Sequence, residues 1–111
     1  MRRQSPWGAS VVAFAAALLT LPLSYGEERR LFVIAVDKLA FADTPKGLRV
    51  NDVIEWQNLD IFRHTATAGD ESFDVDLPPA SRERVVLKRA GKVEYFCRFH
   101  PGMKGQLEIA P

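Results

Sequence analysis

Short apolar segments recur along the chain and are separated by residues that favour turns. Residues 31–36 form a continuous apolar run rich in β-branched side chains, which predicts a strand buried on both faces. Later segments alternate apolar and polar residues, as half-buried strands do, at spacings of about 8 to 12 residues. We predict these further strands at residues 48–50, 53–58, 64–68, 84–88, 93–97 and 106–109.

This pattern indicates one all-β domain. It predicts about six to eight short strands and, beyond the N-terminal segment, no helix. Such strands pack best as an antiparallel β-sandwich, with Ile54 and Trp56 on one inward face. We expect residues 70–81, which are rich in acidic residues and proline, to form a loop.

The first 26 residues have the layout of a secretory signal peptide. Arg2 and Arg3 precede an apolar run over residues 9–23, and small residues at Ser24 and Gly26 suit cleavage after Gly26. A retained anchor is the rival interpretation, but the run is shorter than the roughly 20 residues that a spanning helix needs. We therefore expect an exported, periplasmic domain of residues 27–111 with no membrane span after cleavage.

Charge argues against nucleic acid as a partner. Only Arg2 and Arg3 among the basic residues precede residue 27, which leaves 13 Lys and Arg against 14 Asp and Glu in the remainder. Nucleic-acid-binding domains carry a basic surface, and this domain is nearly neutral. Its size predicts a single compact unit, which we expect to be a monomer.

The candidate chemistry centres on the one cysteine. An unpaired cysteine in an exported chain is half of an intermolecular disulfide, a reactive thiol or a metal ligand, and only ligation also protects it from oxidation. Cys97, His100 and Met103 lie within seven residues, and His64 is the only other histidine. Two imidazoles, a thiolate and a weak axial thioether are the ligands of a type 1 (blue) copper site. Zinc is the competing metal, but zinc prefers four strong ligands and a methionine disfavours it.

In these segments the chain resembles the cupredoxins, most closely the amicyanin and pseudoazurin group. The resemblance is carried by residues 51–56, Asn-Asp-Val-Ile-Glu-Trp, and by the run from Gly91 to Met103. The short spacings from Cys97 to His100 and on to Met103 look like those of amicyanin. The resemblance implies a Greek-key sandwich with one copper ion near one end, and a protein that shuttles single electrons between redox partners.

One position departs from the family pattern. Cupredoxins usually carry Asn directly after the first histidine ligand, where it joins the two ligand loops, whereas this chain has Thr65. A hydroxyl has shorter reach and fewer donors than an amide, so the rigidity of the site and its potential are the properties that this change affects.

The surroundings of the predicted site suggest how partners dock. Basic residues flank the ligands and predict a positive rim that favours an acidic partner; they are Arg63, Arg98 and Lys104. An apolar patch beside His100 is expected from Ile61, Phe62, Phe99 and Pro101. The acidic residues Asp70, Glu71, Asp74 and Asp76 are expected to form a solvated face rather than a second docking site.

Two other functions compete with electron transfer. A copper-binding protein for storage or delivery is the alternative, although such proteins tend to use exposed clusters of Met or Cys. An enzyme such as a copper oxidase needs further ligands, typically His-x-His pairs, and the chain contains only two histidines. We therefore expect a non-enzymatic carrier.

Overall fold

The computed structural model describes Arg3 and residues 28–111. The predicted signal peptide, residues 1–26, thus lies outside the described residues apart from Arg3. Within the described part, no helix is long and apolar enough to cross a membrane.

Residues 28–111 form nine strands in two packed sheets, without a helix. The four-stranded sheet has the order β2-β1-β4-β7, and the five-stranded sheet has the order β3-β9-β8-β5-β6. The strands are β1 Leu31–Asp37, β2 Ala40–Phe41, β3 Leu48–Arg49, β4 Val53–Asn58, β5 His64–Ala68, β6 Asp74–Leu77, β7 Arg82–Val86, β8 Gly91–Phe96 and β9 Lys104–Ala110.

The predicted all-β Greek-key sandwich is confirmed, but its pairing is mixed. β1 runs parallel to β4, with Leu31 opposite Val53, and β3 runs parallel to β9, with Leu48 opposite Ile109. The other pairs are antiparallel. A wholly antiparallel sandwich was therefore the wrong expectation. Parallel neighbours require a crossover connection, and here the chain crosses to the other sheet between them.

The core lies between the sheets and is built around aromatic side chains. Trp56 and Ile54 are fully buried on the inward face of β4, as predicted. The Trp56 ring contacts Tyr95 edge-on, with centroids 5.6 Å apart, and lies 5.2 Å from Phe73. Aromatic contacts of this kind add to the free energy gained by burying apolar area.

The prediction that β1 is buried on both faces is wrong. Ile34 and Val36 are fully buried, but Leu31 and Val33 are 45% and 46% exposed. In a two-layer sandwich the outer face of each sheet has no covering layer, so β1 buries only alternate residues.

The prediction of a loop over residues 70–81 is also wrong, because β6 lies within it. Phe73 and Leu77 are buried, and between them exposed Asp74 and Asp76 alternate with half-buried Val75. This period of two is a strand signal in the sequence that the high acid content obscured. Elsewhere, the strand predicted at residues 84–88 begins and ends two residues earlier, as β7.

Candidate metal centre

Three strands bring the predicted ligands to one end of the sandwich. His64 begins β5, Cys97 directly follows β8, and Met103 directly precedes β9. β5 pairs with β8 in a register that places Thr67 opposite Phe96. Continued past the end of β8, that antiparallel register brings the start of β5 beside Cys97.

The segment from Cys97 to Met103 is a closed loop. The Cys97 N–H donates to the Met103 carbonyl at 3.1 Å, and the Met103 N–H donates to the His100 carbonyl at 2.8 Å. Cys97 and Met103 are buried, whereas His100 at the tip is only half-buried. The loop therefore returns Met103 to the backbone of Cys97 and leaves His100 as the exposed member.

Three donor atoms converge at this end. One ligand atom each from His64, Cys97 and His100 lies within 4.8 Å of the others, a grouping that could hold a metal ion. The Cys97 Sγ lies 3.7 Å from the His64 Nδ1 and 3.9 Å from the His100 Nδ1. The two imidazole rings have centroids 5.3 Å apart.

His64 is fully buried and is held from its far side by a carboxylate. Its Nε2 lies 2.9 Å from the Asp60 Oδ2, while its Nδ1 faces Cys97. Asp60 accepts N–H bonds from Leu39 and Ile61, and these bonds together with His64 lower the pKa of its carboxyl group. Asp60 was not predicted from the sequence, in which nothing distinguishes it from any other acidic loop residue.

Neighbouring groups lower the pKa of the Cys97 thiol. Burial alone would raise its pKa, but hydrogen bonds to the sulfur, the strongest of them from the Thr65 N–H, outweigh burial and lower the pKa to about 6. The Thr65 N–H lies 3.4 Å from the sulfur. A thiolate, the form that binds metal, is therefore available at neutral pH.

Thr65 joins the two ligand-bearing segments. Its buried Oγ1 accepts the Arg98 N–H at 2.9 Å and shares a hydrogen bond of 2.9 Å with the Thr67 hydroxyl, which donates onward to Asp74. The hydroxyl thus makes a cross-link between the first and last ligand segments despite its short reach.

The predicted rim is less positive than the sequence suggests. Arg63 pairs with Asp76 through two hydrogen bonds of 2.7 and 2.8 Å, and Arg98 lies 3.3 Å from Asp74. Both carboxylates belong to β6, the strand that was predicted as a loop. Their charges offset those of the two arginines, while Lys104 is exposed at the start of β9.

The predicted apolar patch lies at the surface beside His100. Ile61 is 81% exposed, and Phe62 and Phe99 are each about half exposed. The Phe62 ring centroid is 6.2 Å from that of His100. Pro101 is exposed next to His100 in the loop. Together these four residues, Ile61, Phe62, Phe99 and Pro101, form what we call the apolar rim.

Comparison with known proteins places this geometry on a known fold. No protein-family model matches the chain. The methylamine utilization protein MauL of Methylorubrum extorquens (strain AM1) is 28% identical over 103 residues, which cover 89% of this chain and 87% of MauL.

Among solved structures, an oxidised methionine-to-leucine variant of amicyanin aligns with a TM-score of 0.63 at 18% identity, covering 70% of this chain and 80% of the other. The Cu(I) form of a methionine-to-alanine variant of amicyanin aligns with a TM-score of 0.61 at 21% identity, covering 71% and 81%. The chain therefore has the cupredoxin fold of amicyanin, and the resemblance seen in its sequence is confirmed.

Proposed function

We propose that this protein is a type 1 copper protein that carries single electrons between redox partners, with one copper ion bound by His64, Cys97, His100 and Met103. The observation that supports it most strongly is the convergence of two imidazole nitrogens on one thiol at the end of a cupredoxin fold. This ligand set is the one expected of blue copper centres.

The spacing of the donor atoms fits a shared metal ion. In a trigonal site, a nitrogen bonded at ~2.0 Å and a sulfur bonded at ~2.3 Å to the same metal lie roughly 3.7 Å apart. The Cys97 Sγ lies 3.7 and 3.9 Å from the two imidazole nitrogens. The backbone bonds of the 97–103 loop support Met103 as the fourth residue that would hold the ion, because they keep its backbone beside that of Cys97.

The chain's own residues suit electron transfer. A bound copper ion would supply the one-electron exchange between Cu(II) and Cu(I). Burial of Cys97 and His64, and the cross-link through Thr65, limit movement of the ligands between the two oxidation states. The half-buried His100 lies against Phe62 of the exposed apolar rim, a surface that a partner protein can contact.

Storage or delivery of copper is the alternative function. Delivery proteins exchange metal through accessible ligands, whereas His64 and Cys97 are fully buried. Their burial favours the carrier.

Reconstitution with Cu(II) tests the proposal. We expect an intense visible thiolate-to-copper band and a narrow copper hyperfine splitting in the EPR spectrum of the wild type. Cys97→Ser abolishes the band, whereas Phe99→Leu on the apolar rim retains it. A colourless wild type, or one that takes zinc in preference to copper, contradicts a type 1 site.

Voltammetry and metal transfer then separate the two functions. A carrier shows fast, reversible one-electron voltammetry and retains its copper in the presence of an acceptor protein. Ready transfer of copper to that acceptor supports delivery instead.

The same proposal includes export. Cleavage after Gly26 would leave the described strands intact, because β1 begins at Leu31. N-terminal sequencing of protein from a periplasmic fraction is expected to begin at Glu27. An intact N-terminus on membrane-bound protein supports the retained anchor.

The similarity to MauL supports a place for this carrier in methylamine utilization. Loss of the gene is then expected to slow growth on methylamine but not on an unrelated carbon and nitrogen source. Equal growth on both places the carrier elsewhere.

A further inference from the structure

We infer that Asp60 is a positioning residue for His64: its carboxylate fixes the imidazole in the metal-binding tautomer and favours Cu(II) over Cu(I). The expected effect of Asp60 on copper rests on the proposed function, whereas the contact between Asp60 and His64 is present in the structure without a metal. The Asp60 Oδ2 lies 2.9 Å from the His64 Nε2, and the Asp60 side chain is only 9% exposed.

Asp60 is itself held in place from several sides. The Oδ2 accepts the Leu39 N–H at 3.0 Å, and the Oδ1 accepts the Ile61 N–H at 2.9 Å. Leu39 belongs to the β1–β2 turn, more than 20 residues away in sequence. The carboxylate therefore joins two loops and cannot rotate away from His64 without losing backbone hydrogen bonds.

Asn58 holds the backbone of the same segment. Its Oδ1 accepts the Asp60 N–H at 2.9 Å, and its Nδ2 donates to the carbonyls of Phe62 and Leu77 at 2.8 Å. Asn58 is fully buried. The loop between β4 and β5 is thus a rigid support that presents one carboxylate to one ligand.

This contact decides which nitrogen of His64 carries the proton. The neutral imidazole carries one ring proton, and an ionised carboxylate only accepts hydrogen bonds, so in that form the Nε2 donates and the Nδ1 keeps its lone pair. The Nδ1 is the atom that faces Cys97. Asp60 therefore leaves a free imidazole lone pair directed at the proposed metal position, as carboxylate partners of metal-ligating histidines do.

The two histidines differ in this respect. Within residues 28–111, the hydrogen-bonding and ring contacts of the His100 imidazole are with the Cys97 sulfur and with the rings of Phe62 and His64, and none is with a carboxylate. His64 is the anchored ligand, and His100 is the ligand free to respond to a partner.

An anion bonded to a ligand imidazole makes that imidazole a stronger electron donor. Stronger donation stabilises Cu(II) more than Cu(I) and lowers the reduction potential. Reduction adds one electron, supplied by the donor protein, and leaves the proton on the Nε2 in both states. Removing the negative charge of Asp60 is therefore expected to raise the potential.

The test compares Asp60→Asn with Asp76→Asn by voltammetry of the copper-loaded protein. Both remove one carboxylate at the same end of the sandwich, since Asp76 lies opposite Thr65, but Asp76 contacts Arg63 and not a ligand. We expect Asp60→Asn to keep the blue band and to raise the ratio of Cu(I) affinity to Cu(II) affinity at least tenfold. That change corresponds to a rise of about 59 mV in the one-electron reduction potential. A shift in Asp60→Asn no larger than that in Asp76→Asn overturns the inference.

A measurement on the metal-free wild type separates this inference from the proposed function. At mildly alkaline pH, nitrogen NMR is expected to show the proton of the neutral His64 imidazole on Nε2. A proton on Nδ1 contradicts the role of Asp60, whether or not copper binds or Asp60→Asn folds. Absence of a blue band in the wild type overturns the proposed function and leaves this tautomer test intact.

Discussion

At the scale of single residues, the candidate centre depends on side chains that bond to ligands rather than on the ligands alone. Thr65 is the clearest case, because its hydroxyl accepts the N–H of the residue after Cys97 while its own N–H donates to the sulfur. A chain of hydroxyl hydrogen bonds continues through Thr67 to Asp74 at the surface. The threonine thus performs the bridging that the family resemblance assigns to an asparagine.

Replacement of Thr65 by the isosteric valine tests this bridge. Thr65→Val leaves the Arg98 N–H without its acceptor, and an orphaned polar group costs about 1–3 kcal/mol of unfolding free energy. Thr67→Val, the matched control, removes a hydroxyl contact but orphans no backbone N–H, so it is expected to cost less. Denaturant unfolding of both metal-free variants measures the difference, and equal losses contradict the bridging role.

The lowered pKa of Cys97 predicts a dependence of stability on pH. The pKa is about 6 in the folded protein against an ordinary value of 9.0, so between these values the unfolded chain binds more protons than the folded one. Stability of the metal-free protein therefore rises from pH 6 to pH 9 and loses this contribution as pH falls through 6.

Denaturant unfolding across this pH range, together with thiolate absorbance in the ultraviolet, measures the effect. Cys97→Ser is the control and is expected to flatten the rise. A thiol that titrates near 9 in the folded wild type contradicts the prediction.

At the scale of strands, register explains features that residue types alone do not. The pairing of β8 with β9 places Gly105 opposite Tyr95, and the Tyr95 ring lies over the position that a Gly105 side chain would occupy. Tyr95 in turn packs edge-on against Phe41, with centroids 4.7 Å apart. Glycine in β9 is therefore required by the close approach of an aromatic ring, and not by its backbone conformation.

Gly105→Ala is expected to destabilise the sandwich. The new Cβ would overlap the Tyr95 ring and displace it from Phe41 and Trp56, and overpacking of this kind costs typically about 1–3 kcal/mol. Gly69→Ala serves as the control, because there the nearest atom to an added Cβ is the Glu94 carbonyl oxygen at 3.7 Å, an ordinary contact. Thermal unfolding distinguishes the two, and equal midpoints refute the steric argument.

At the scale of the whole molecule, charge and apolar surface are arranged around one end. The exposed apolar rim contacts His100 through Phe62, and the two arginines beside Phe99 are paired with carboxylates of β6. Residues 27–111 are nearly neutral in total. If the protein carries electrons as proposed, we expect encounter with a partner to depend on apolar contact more than on long-range attraction.

Oxidation of the reduced protein by anionic hexacyanoferrate(III) tests this arrangement. Asp74→Asn with Asp76→Asn frees Arg98 and Arg63, so the rate at low ionic strength is expected to rise severalfold. The rise should shrink with added salt, as the Debye length falls from about 30 Å at 0.01 M to about 3 Å at 1 M.

The matched control is Glu28→Gln with Glu108→Gln, which removes two charges away from the proposed ligands. Glu28 precedes β1, whose first residue pairs with the first residue of β4, whereas His64 follows the end of β4. Glu108 lies opposite Lys92, near the start of β8, whereas Cys97 follows its end. If both double variants accelerate equally, net charge and not the local ion pairs sets the rate.

Much of the fold followed from local pattern. The alternation of apolar and polar residues identified β4, β5 and β8. Such alternation can be seen in one strand alone, because successive side chains of a strand point to opposite faces. The continuous apolar run located β1 but wrongly predicted burial of both its faces, and the acidic residues of β6 concealed a regular alternation. Pairing could not be predicted in either sheet, since parallel neighbours such as β1 and β4 are joined through distant crossovers.

The sequence by itself determined which groups could bind a metal: one thiol, two imidazoles and a thioether. The thiol, one imidazole and the thioether lie in a single loop that is too short to separate them. What only the tertiary structure decided is how those groups are held and surrounded. Asp60 reaches His64, Thr65 bridges to Arg98, and β6 offsets the charges of Arg63 and Arg98. These contacts depend on strand register and loop packing, which bring together residues far apart in the chain and leave no local pattern.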